Sequence, residues 1–194
     1  MEKKADKEHL IPLLGAIRAL QSSMEAINCR GYFIGGVAAS MLGRPRLTRD
    51  VDAVILIDDT EVEYFLNSTK KQGINPRIDD ILSFSQRSNV LLLVHNATNI
   101  NIDVSIGLLP FEYETFHRSK FLKFSGVSLR VPTPEDLIIM KTVAGRPRDF
   151  EDIRGIIVAH PDLDKTRIEN WVRQFANTLD SPEMWKDLEK ILYS

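Results

Sequence analysis

Residues 33–57 read FIGGVAASMLGRPRLTRDVDAVILI, and this stretch decides how the rest of the chain is interpreted. A glycine pair, Gly35 and Gly36, follows a short strand predicted over 32–34. A short helix is predicted after the pair, over 37–42, and an arginine-containing loop ends it. Glycine has no side chain, so a glycine pair between a strand and a helix lets other groups approach the backbone closely.

Two aspartates one residue apart follow that loop. Asp50 and Asp52 precede the sequence VILI at 54–57, an unbroken run of β-formers that predicts a buried strand. Because side chains alternate along a strand, both carboxylates are predicted to point to the same face. Two carboxylates held close together repel each other unless a cation or a shared proton lies between them. The stretch is therefore a candidate metal site and a candidate site for chemistry on phosphates.

A third acid, Asp103, lies in a strand predicted over 100–106, which forms a hairpin with a strand predicted over 90–94. A buried charge has to be paired or coordinated, so an acid flanked by β-formers needs a partner. If this strand lies beside the one that carries Asp50 and Asp52, three carboxylates meet at one edge of the sheet. Such hard oxygen ligands suit Mg²⁺ or Mn²⁺ bridging a triphosphate.

The bulk composition indicates an ordinary globular protein. The chain has 194 residues, 43% of them hydrophobic and 27% charged, and a formal net charge of −2. This charge excludes a bulk basic field that recruits nucleic acid non-specifically. The single cysteine, Cys29, excludes an internal disulfide. No apolar run reaches the ~18 residues of a membrane span, and the first residues lack a signal-peptide core. We therefore expect a cytoplasmic protein without a membrane partner.

The pattern of elements predicts an α+β fold. An amphipathic helix is predicted over 7–27, with Gly31 in the left-handed conformation at its end. Further helices are predicted over 61–71, 78–84, 111–118, 133–144, 149–159, 164–176 and 181–192, and a second hairpin over 121–124 and 127–131. Strands and helices alternate up to residue 132, and only helices follow. We therefore predict an α/β core over 1–132 and a C-terminal helical region over 133–194 packed on it.

These ordered motifs resemble the nucleotidyltransferase superfamily, whose polymerase-β-like core carries a glycine pair, a later Asp-x-Asp and a third strand acid. The matching residues are Gly35-Gly36, Asp50-Val51-Asp52 and Asp103. More narrowly, the R-x-T-x-D-x-D pattern at 46–52 looks like the AbiEii-type branch of abortive-infection and toxin–antitoxin nucleotidyltransferases. The segment PTPEDLIIMKTVAGRPRDFEDI at 132–153 extends the match, since the family places a helix lysine and then an acidic helix there. The resemblance implies a nucleotidyltransferase-like mixed sheet flanked by helices.

The resemblance also implies roles for these residues. Gly35 and Gly36 would bring backbone N–H groups at the start of a helix to the phosphates of an NTP. Asp50 and Asp52 would bind Mg²⁺ or Mn²⁺. Asp103 would share one of these ions or accept the proton of the attacking hydroxyl group.

Four further residues are implied in nucleotide binding. Lys141, which also counts as catalytic, would reach the triphosphate and offset its charge as pyrophosphate leaves. Ser40 would contact a phosphate, and Arg46 and Arg49 would brace phosphates or the acceptor. Many superfamily members have Gly-Ser at the glycine pair, so a side-chain hydroxyl contact is absent from this chain at that point.

Structural alternatives stand beside several of these roles. Lys141 also fits a solvated lysine on an amphipathic helix. Asp149 and Asp152 are also explained by capping of the helix that they begin. Arg146 and Arg148 either face the site or neutralise these two acids.

The function implied is metal-dependent transfer of an NMP from an NTP to a hydroxyl group of RNA (tRNA for example), a protein or a small molecule. A toxin with an antitoxin partner is one form of this hypothesis. The alternative is a catalytically inactive nucleotidyltransferase fold that serves as a nucleotide-binding or regulatory module. A third hypothesis is a structural partner in a toxin–antitoxin pair. Three carboxylates that repel each other favour the enzyme, because an inactive copy has no chemical need for them.

Overall fold

The computed structural model describes residues 12–193, which form a mixed sheet, a separate hairpin and flanking helices. The strands are β1 (Arg30–Phe33), β2 (Asp50–Leu56), β3 (Ile74–Pro76), β4 (Val90–His95), β5 (Ile100–Ile106), β6 (Lys120–Phe124) and β7 (Val127–Val131). The helices are α1 (Leu14–Glu25), α2 (Gly35–Leu42), α3 (Val62–Lys71), α4 (Ile81–Ser88), α5 (Pro110–Arg118), α6 (Pro134–Ala144), α7 (Pro147–Ala159), α8 (Lys165–Thr178) and α9 (Glu183–Leu192). The predicted α+β class is confirmed.

The main sheet has the strand order β1-β2-β5-β4-β3. The β2–β5 pair is parallel, and the other three pairs are antiparallel. Both predicted hairpins are confirmed: β4 and β5 pair within this sheet, and β6 and β7 form a two-stranded sheet of their own. The parallel pair lies in the middle of the sheet, so β2 and β5 each have a neighbour on both sides.

The two faces of β2 meet different parts of the core. Val51 and Ile55 belong to the main buried cluster, which also contains residues of α1, α3 and α6. Val54, on the opposite face, packs with Tyr32 of β1 in a small second cluster. Asp52 shares this second face because side chains alternate along a strand. Both faces are thus apolar beyond the first residues of β2, and the acids lie where the strand begins.

The end of α1 differs from the prediction. Asn28, with φ at 53°, takes the left-handed conformation that was predicted for Gly31. Gly31 lies within β1 opposite Ile55, and a Cβ there would stand 2.7 Å from Sδ of Met24. That glycine is therefore required for close packing rather than for a turn. The first part of the predicted helix, 7–11, lies outside the described residues.

Two short elements between α3 and β4 were missed or misplaced. Strand β3 was not predicted, because three residues that end in a proline carry too little alternation to indicate a strand. Helix α4 begins at Ile81 rather than at 78, because the Asp80 side chain accepts a hydrogen bond from the backbone N–H of Ser83 (3.3 Å) and so caps it.

The C-terminal helices pack on one another and on α2. Helix α6 contacts α2, α7, α8 and α9, and its Leu137 and Ile138 are part of the main core. Thr133 caps α6 as predicted, and Gly145, with φ at 64°, ends it. A domain boundary between 132 and 133 stays a prediction. Across the described part of the chain, no helix is both long and apolar enough to cross a bilayer.

A buried carboxylate joins three helices. Asp136 of α6 is fully buried, and its oxygens lie 3.2 Å from Nε of Arg118 on α5 and 2.7 Å from Nε of Arg167 on α8. Arg167 also pairs with Glu114 at 3.0 Å. This network ties the helical region to the segment that follows the sheet.

We predict that Asp136→Ala lowers the free energy of unfolding by ~2–4 kcal/mol, because the largely buried Arg167 would lose its buried carboxylate and keep only the half-exposed Glu114. The matched control is Asp187→Ala, which removes a carboxylate 53% exposed and paired with Lys190 on the surface of α9. The control should change the stability by no more than ~0.5 kcal/mol. Urea unfolding measures both variants, and equal losses would contradict the prediction.

Candidate active site

The parallel pairing of β2 with β5 brings the predicted acids together. The register sets Asp52 opposite Asp103, and Asp50 lies two residues earlier on β2. Directly paired residues of neighbouring strands point to the same face. The three carboxylates therefore lie on one face, at the edge of the sheet where β2 and β5 begin.

The glycine pair lies directly against this edge. The backbone N–H of Ile34 donates to the carbonyl of Asp52 (2.9 Å), so β1 carries the chain to the acids before α2 begins. Gly35 has φ at 60°, and a Cβ at this position would overlap the Asp52 carboxylate, at 2.5 Å from Cγ. A Cβ on Gly36 would stand 2.7 Å from Cβ of Thr48. Both positions require glycine, because neighbouring side chains fill the space that a Cβ would need.

The first turn of α2 offers backbone N–H groups to an anion. Its N-cap residue, Ile34, has no side chain that accepts a hydrogen bond from this turn. The backbone N–H of Gly36 donates to the Asp52 carboxylate. A helix N-terminus of this kind binds phosphate as readily as carboxylate, because its N–H groups and dipole both favour negative charge.

The electrostatics of Asp52 differ from those of an ordinary surface acid. Burial raises its pKa to about 6, and the charges of Asp50 and Asp103 act in the same direction. The hydrogen bond from Gly36 and the charge of Arg146 oppose this shift. The carboxylate is thus crowded by negative charge, which is the environment that a divalent cation relieves.

Asp50 and Asp103 have different partners. The hydroxyl of Thr48 donates to Oδ1 of Asp50 at 2.8 Å. Asp103 forms an ion pair with Arg77, whose side chain comes from the opposite edge of the sheet. Burial raises the pKa of Asp103, the charge of Arg77 lowers it, and Asp50 raises it, with a net rise.

Sequence reasoning missed both of these partners. Thr48 stands two residues before Asp50, within the quoted R-x-T-x-D-x-D pattern, so a local signal for it existed. Arg77 has no such signal, because 26 residues separate it from Asp103 and only the strand order brings the two together.

A second group of charges lies beside the carboxylates and alternates in sign. Nζ of Lys141 lies 3.0 Å from Asp149 and 2.6 Å from Asp152. Nε of Arg46 lies 2.6 Å from Asp152, and Nε of Arg146 lies 2.6 Å from Asp149. We call these five residues the ion-pair chain. It connects the loop before β2 with α6 and α7.

The ion-pair chain is buried at its centre and open at its ends. The side chains of Lys141, Asp149 and Asp152 are at most 4% exposed, whereas that of Arg146 is 71% exposed. Burial acts to raise the pKa of each aspartate, but hydrogen bonds from the arginine and from Lys141 bring it below its usual value. Both acids are therefore compensated within the protein, unlike Asp52.

These contacts test the structural alternatives for Asp149, Asp152 and Lys141, namely helix capping for the two acids and a solvated lysine. Asp149 accepts a hydrogen bond from the backbone N–H of Arg146 at 3.3 Å, so capping accounts for part of its role. Asp152 is not a cap, since it binds Arg46 and Lys141. Lys141 is buried rather than solvated, and it pairs with both acids.

The other predicted nucleotide-binding residues occupy different surroundings. Ser40 is 1% exposed, and its hydroxyl donates to the carbonyl of Arg46 at 3.1 Å. Arg49 is exposed in the loop directly before β2. Nη2 of Arg148 lies 3.5 Å from the carbonyl of Leu47 in the same loop. Ser40 thus holds the loop that carries Arg46, and Arg49 is open to solvent.

The three carboxylates fit a hard divalent cation by their chemistry. They supply oxygen ligands from two adjacent strands, and Asp50 and Asp52 form no ion pair among the described residues. In the arrangement of residues 12–193, no three side chains of His, Cys, Asp or Glu are spaced to enclose a metal ion. Oδ1 of Asp103 is paired with Arg77, so a cation that binds this oxygen requires the pair to open.

We predict that Gly35→Ala lowers the free energy of unfolding by ~3 kcal/mol. Alanine disfavours the left-handed backbone at this position, and its Cβ would overlap the Asp52 carboxylate. Gly126→Ala is the matched control, because Gly126 also has positive φ (77°) but a Cβ there would meet nothing within 4 Å. The control should lose only ~1 kcal/mol. Chemical denaturation tests the difference, and similar losses would show that the overlap is relieved at no cost.

We also predict that Asp52→Asn stabilises the metal-free protein by ~1–2 kcal/mol at about pH 8. The folded pKa of Asp52 is raised, so the folded state binds more protons than the unfolded state between about pH 4 and pH 6, and wild-type stability falls as the pH rises through this window. Asparagine keeps the acceptor for Gly36 but carries no charge. The gain should therefore disappear at about pH 4.

Thermal unfolding in a chelating buffer over this pH range measures the effect. Asp187→Asn, on the exposed face of α9, serves as the control and should leave the pH dependence unchanged. A loss of stability in Asp52→Asn at neutral pH would contradict the assignment of repulsion at this position.

The family described as nucleotidyltransferase of unknown function (DUF6036) matches residues 8–188 of the chain. No curated protein matches the sequence. Among solved structures, ANT(2″)-Ia in complex with adenylyl-2″-tobramycin is similar, with a TM-score of 0.58 and 14% identity over 84% of this chain and 97% of that one.

Two further solved structures share the fold. An antigenic nucleotidyltransferase-like protein from Paracoccidioides brasiliensis has a TM-score of 0.54 and 16% identity over 96% of this chain and 93% of that one. The lincosamide antibiotic adenylyltransferase LnuA, lincomycin-bound, has a TM-score of 0.51 and 12% identity over 74% and 94%. At such identities the likeness shows the fold alone. Since the family match spans nearly the whole sequence, the chain belongs to this nucleotidyltransferase family, whose function is not known.

Proposed function

We propose that this protein transfers an NMP from an NTP to a hydroxyl group, with Mg²⁺ or Mn²⁺ held by Asp50, Asp52 and Asp103. The observation that carries the proposal is the contact of Gly35 with Asp52, opposite Asp103. One point of the fold thus combines a backbone that binds phosphate with acids that bind a cation. Few reactions other than phosphoryl and nucleotidyl transfer require both.

The reaction balances with the groups present. The acceptor oxygen forms a bond to the α-phosphorus, and the bond from that phosphorus to the bridging oxygen of the β-phosphate breaks. Asp103 accepts the hydroxyl proton, and pyrophosphate leaves with the electron pair of the broken bond. A divalent cation, when bound, supplies the positive charge that stabilises the negative charge on the transferring and leaving phosphates.

Groups of the protein hold the phosphates in place and offset their negative charge. The N–H groups of Gly35 and Gly36 hold the phosphates at the start of α2. Arg46 and Arg49 lie in the loop before β2 and contribute positive charge toward the phosphates or the acceptor. Lys141 contributes through the ion-pair chain, since it holds Asp152 against Arg46. Ser40 contributes by holding the carbonyl of Arg46.

The acceptor is proposed by analogy with proteins of the same fold. The two similar structures named as ANT(2″)-Ia and LnuA are complexes with an adenylylated antibiotic and with an antibiotic. These favour a small molecule that carries hydroxyl groups over RNA or protein as acceptor. The narrower AbiEii-type assignment, with a toxin role and an antitoxin partner, stays a prediction from the R-x-T-x-D-x-D pattern.

We predict that the wild-type protein transfers label from an α-labelled NTP to an acceptor and that Asp52→Asn reduces this rate by at least ~10²–10³-fold, because a cation ligand and its charge are lost. The assay uses each of the four NTPs with Mg²⁺ or Mn²⁺ and, as separate acceptor pools, aminoglycosides and lincosamides, total RNA and a protein extract. Asp187→Asn, far from the carboxylates in sequence and exposed, should retain the wild-type rate.

The acceptor pool that takes up label identifies the acceptor class. If none of them gains label while the protein binds an NTP in the presence of Mg²⁺, the alternative of an inactive nucleotide-binding or regulatory module replaces the enzyme.

A further inference from the structure

Arg77 lies in the same row of the sheet as the catalytic acids. Strand β3 ends at Pro76, and the backbone N–H of Arg77 then donates to the carbonyl of Leu92 on β4 at 2.9 Å. Leu92 is the register partner of Asp103, which in turn is paired with Asp52. A single line of paired positions thus runs from Arg77 across β4 to the two acids.

This row explains how the Arg77–Asp103 pair forms. Neighbouring strands lie about 4.8 Å apart, so Arg77 and Asp103 are separated by about two strand spacings. A long arginine side chain on the same face spans that distance and places its guanidinium on Asp103. The ion pair joins Nη2 of Arg77 to Oδ1 of Asp103.

Arg77 forms an ion pair with one of the three acids, Asp103. Asp50 and Asp52 receive hydrogen bonds from neutral donors, the Thr48 hydroxyl and the Gly36 N–H. Arg146 is close enough to affect Asp52 but forms its ion pair with Asp149. Within residues 12–193, no other Lys, Arg or His forms an ion pair with any of the three acids.

The pair competes with a cation for Oδ1 of Asp103. A guanidinium that donates to a carboxylate occupies lone pairs that a metal ion needs, and its positive charge repels the ion. The side chains of Arg77 and Asp103 are 27% and 39% exposed. A partly exposed pair of this kind is weak and opens readily.

We propose that Arg77 is a positioning residue that holds Asp103 until a divalent cation displaces it. The inference rests on the proposed function, because it takes Asp103 to be a ligand of that cation. Arg77 compensates one of three repelling carboxylates in the metal-free protein. The cation therefore binds only when its binding free energy exceeds the cost of breaking the ion pair of Arg77 with Asp103. When the pair opens, the guanidinium is released on the β3 side of the acids, across the sheet from the glycine pair.

The experiment measures Mn²⁺ affinity of the full chain by titration calorimetry and by the paramagnetic resonance signal of free Mn²⁺, without nucleotide and with a non-hydrolysable ATP analogue. Arg77→Gln should bind Mn²⁺ roughly threefold to tenfold more tightly than wild type, the change expected when a partly exposed ion pair no longer competes. Arg77→Lys, which keeps the charge, should bind nearly as the wild type does.

Arg87→Gln is the matched control. Arg87 is an exposed arginine of α4 in the segment that follows β3, and it has no contact with Asp103. Its replacement removes the same charge, so the control separates the specific pair from the overall charge of the protein. Asp103→Asn combined with Arg77→Gln should abolish the gain, because the oxygen that Arg77 releases is then no longer a carboxylate.

The outcomes separate this inference from the proposed function. If Mn²⁺ binding depends on Asp52 but is the same in wild type and Arg77→Gln, the inference is wrong and the metal site stands. Equal tightening in Arg87→Gln, or weaker binding in Arg77→Gln, also overturns it. If wild type and every variant fail to bind Mn²⁺ even with the nucleotide analogue, both the inference and the metal-dependent function are wrong.

Discussion

Gly35 lies so close to Asp52 that a Cβ on residue 35 would overlap the Asp52 carboxylate. The contact depends on the left-handed backbone of Gly35, on the absence of its side chain, and on β1 ending beside the start of β2. The N–H groups at the start of α2 thereby point to the region of the acids. The rest of the site follows from this contact, because β5 then adds Asp103 to the other side of Asp52.

Two neighbouring groups of acids differ in whether cationic side chains compensate their charge. Asp149 and Asp152 are buried with arginine and lysine partners, and their pKa values lie below the usual range. Asp52 is half-buried with only a backbone donor, among other acids, and its pKa is raised. The first arrangement is self-sufficient and stabilises the fold. The second is unfavourable without a cation, and perturbation of this kind is typical of functional sites.

The ion pair of Arg77 with Asp103 is intermediate between these two arrangements, because the acid has a cationic partner but the pair is partly exposed. Arg77 compensates Asp103 from the position directly after the short edge strand β3, with a side chain that is partly exposed. The buried ion-pair chain has a different character, since its central lysine is enclosed and contacts two carboxylates at once. A partly exposed ion pair opens at a small cost in free energy, whereas opening the buried ion-pair chain costs much more. The proposed function uses this difference, because it requires acids that can bind a cation beside ion pairs that stay closed.

The sequence by itself determined the local parts of this protein. The period of two placed Asp50 and Asp52 on one face, the apolar runs located β2, β4 and β5, and Thr133-Pro134 marked the start of α6. Each of these follows from neighbouring residues. The turn predicted at Gly31 is wrong. This glycine lies in β1, where it packs against Met24, and the sequence does not show that contact.

Only the tertiary structure decided which distant charges meet. Asp152 lies 106 residues from Arg46, and Arg77 reaches Asp103 across β4, which the sequence links to β5 but not to β3. Such contacts depend on the order of the strands and on where α7 packs, and many orders are compatible with the same local patterns. Local chemistry therefore located the acids and the glycine pair, and the fold determined which of the acids are paired with cationic side chains and which are not.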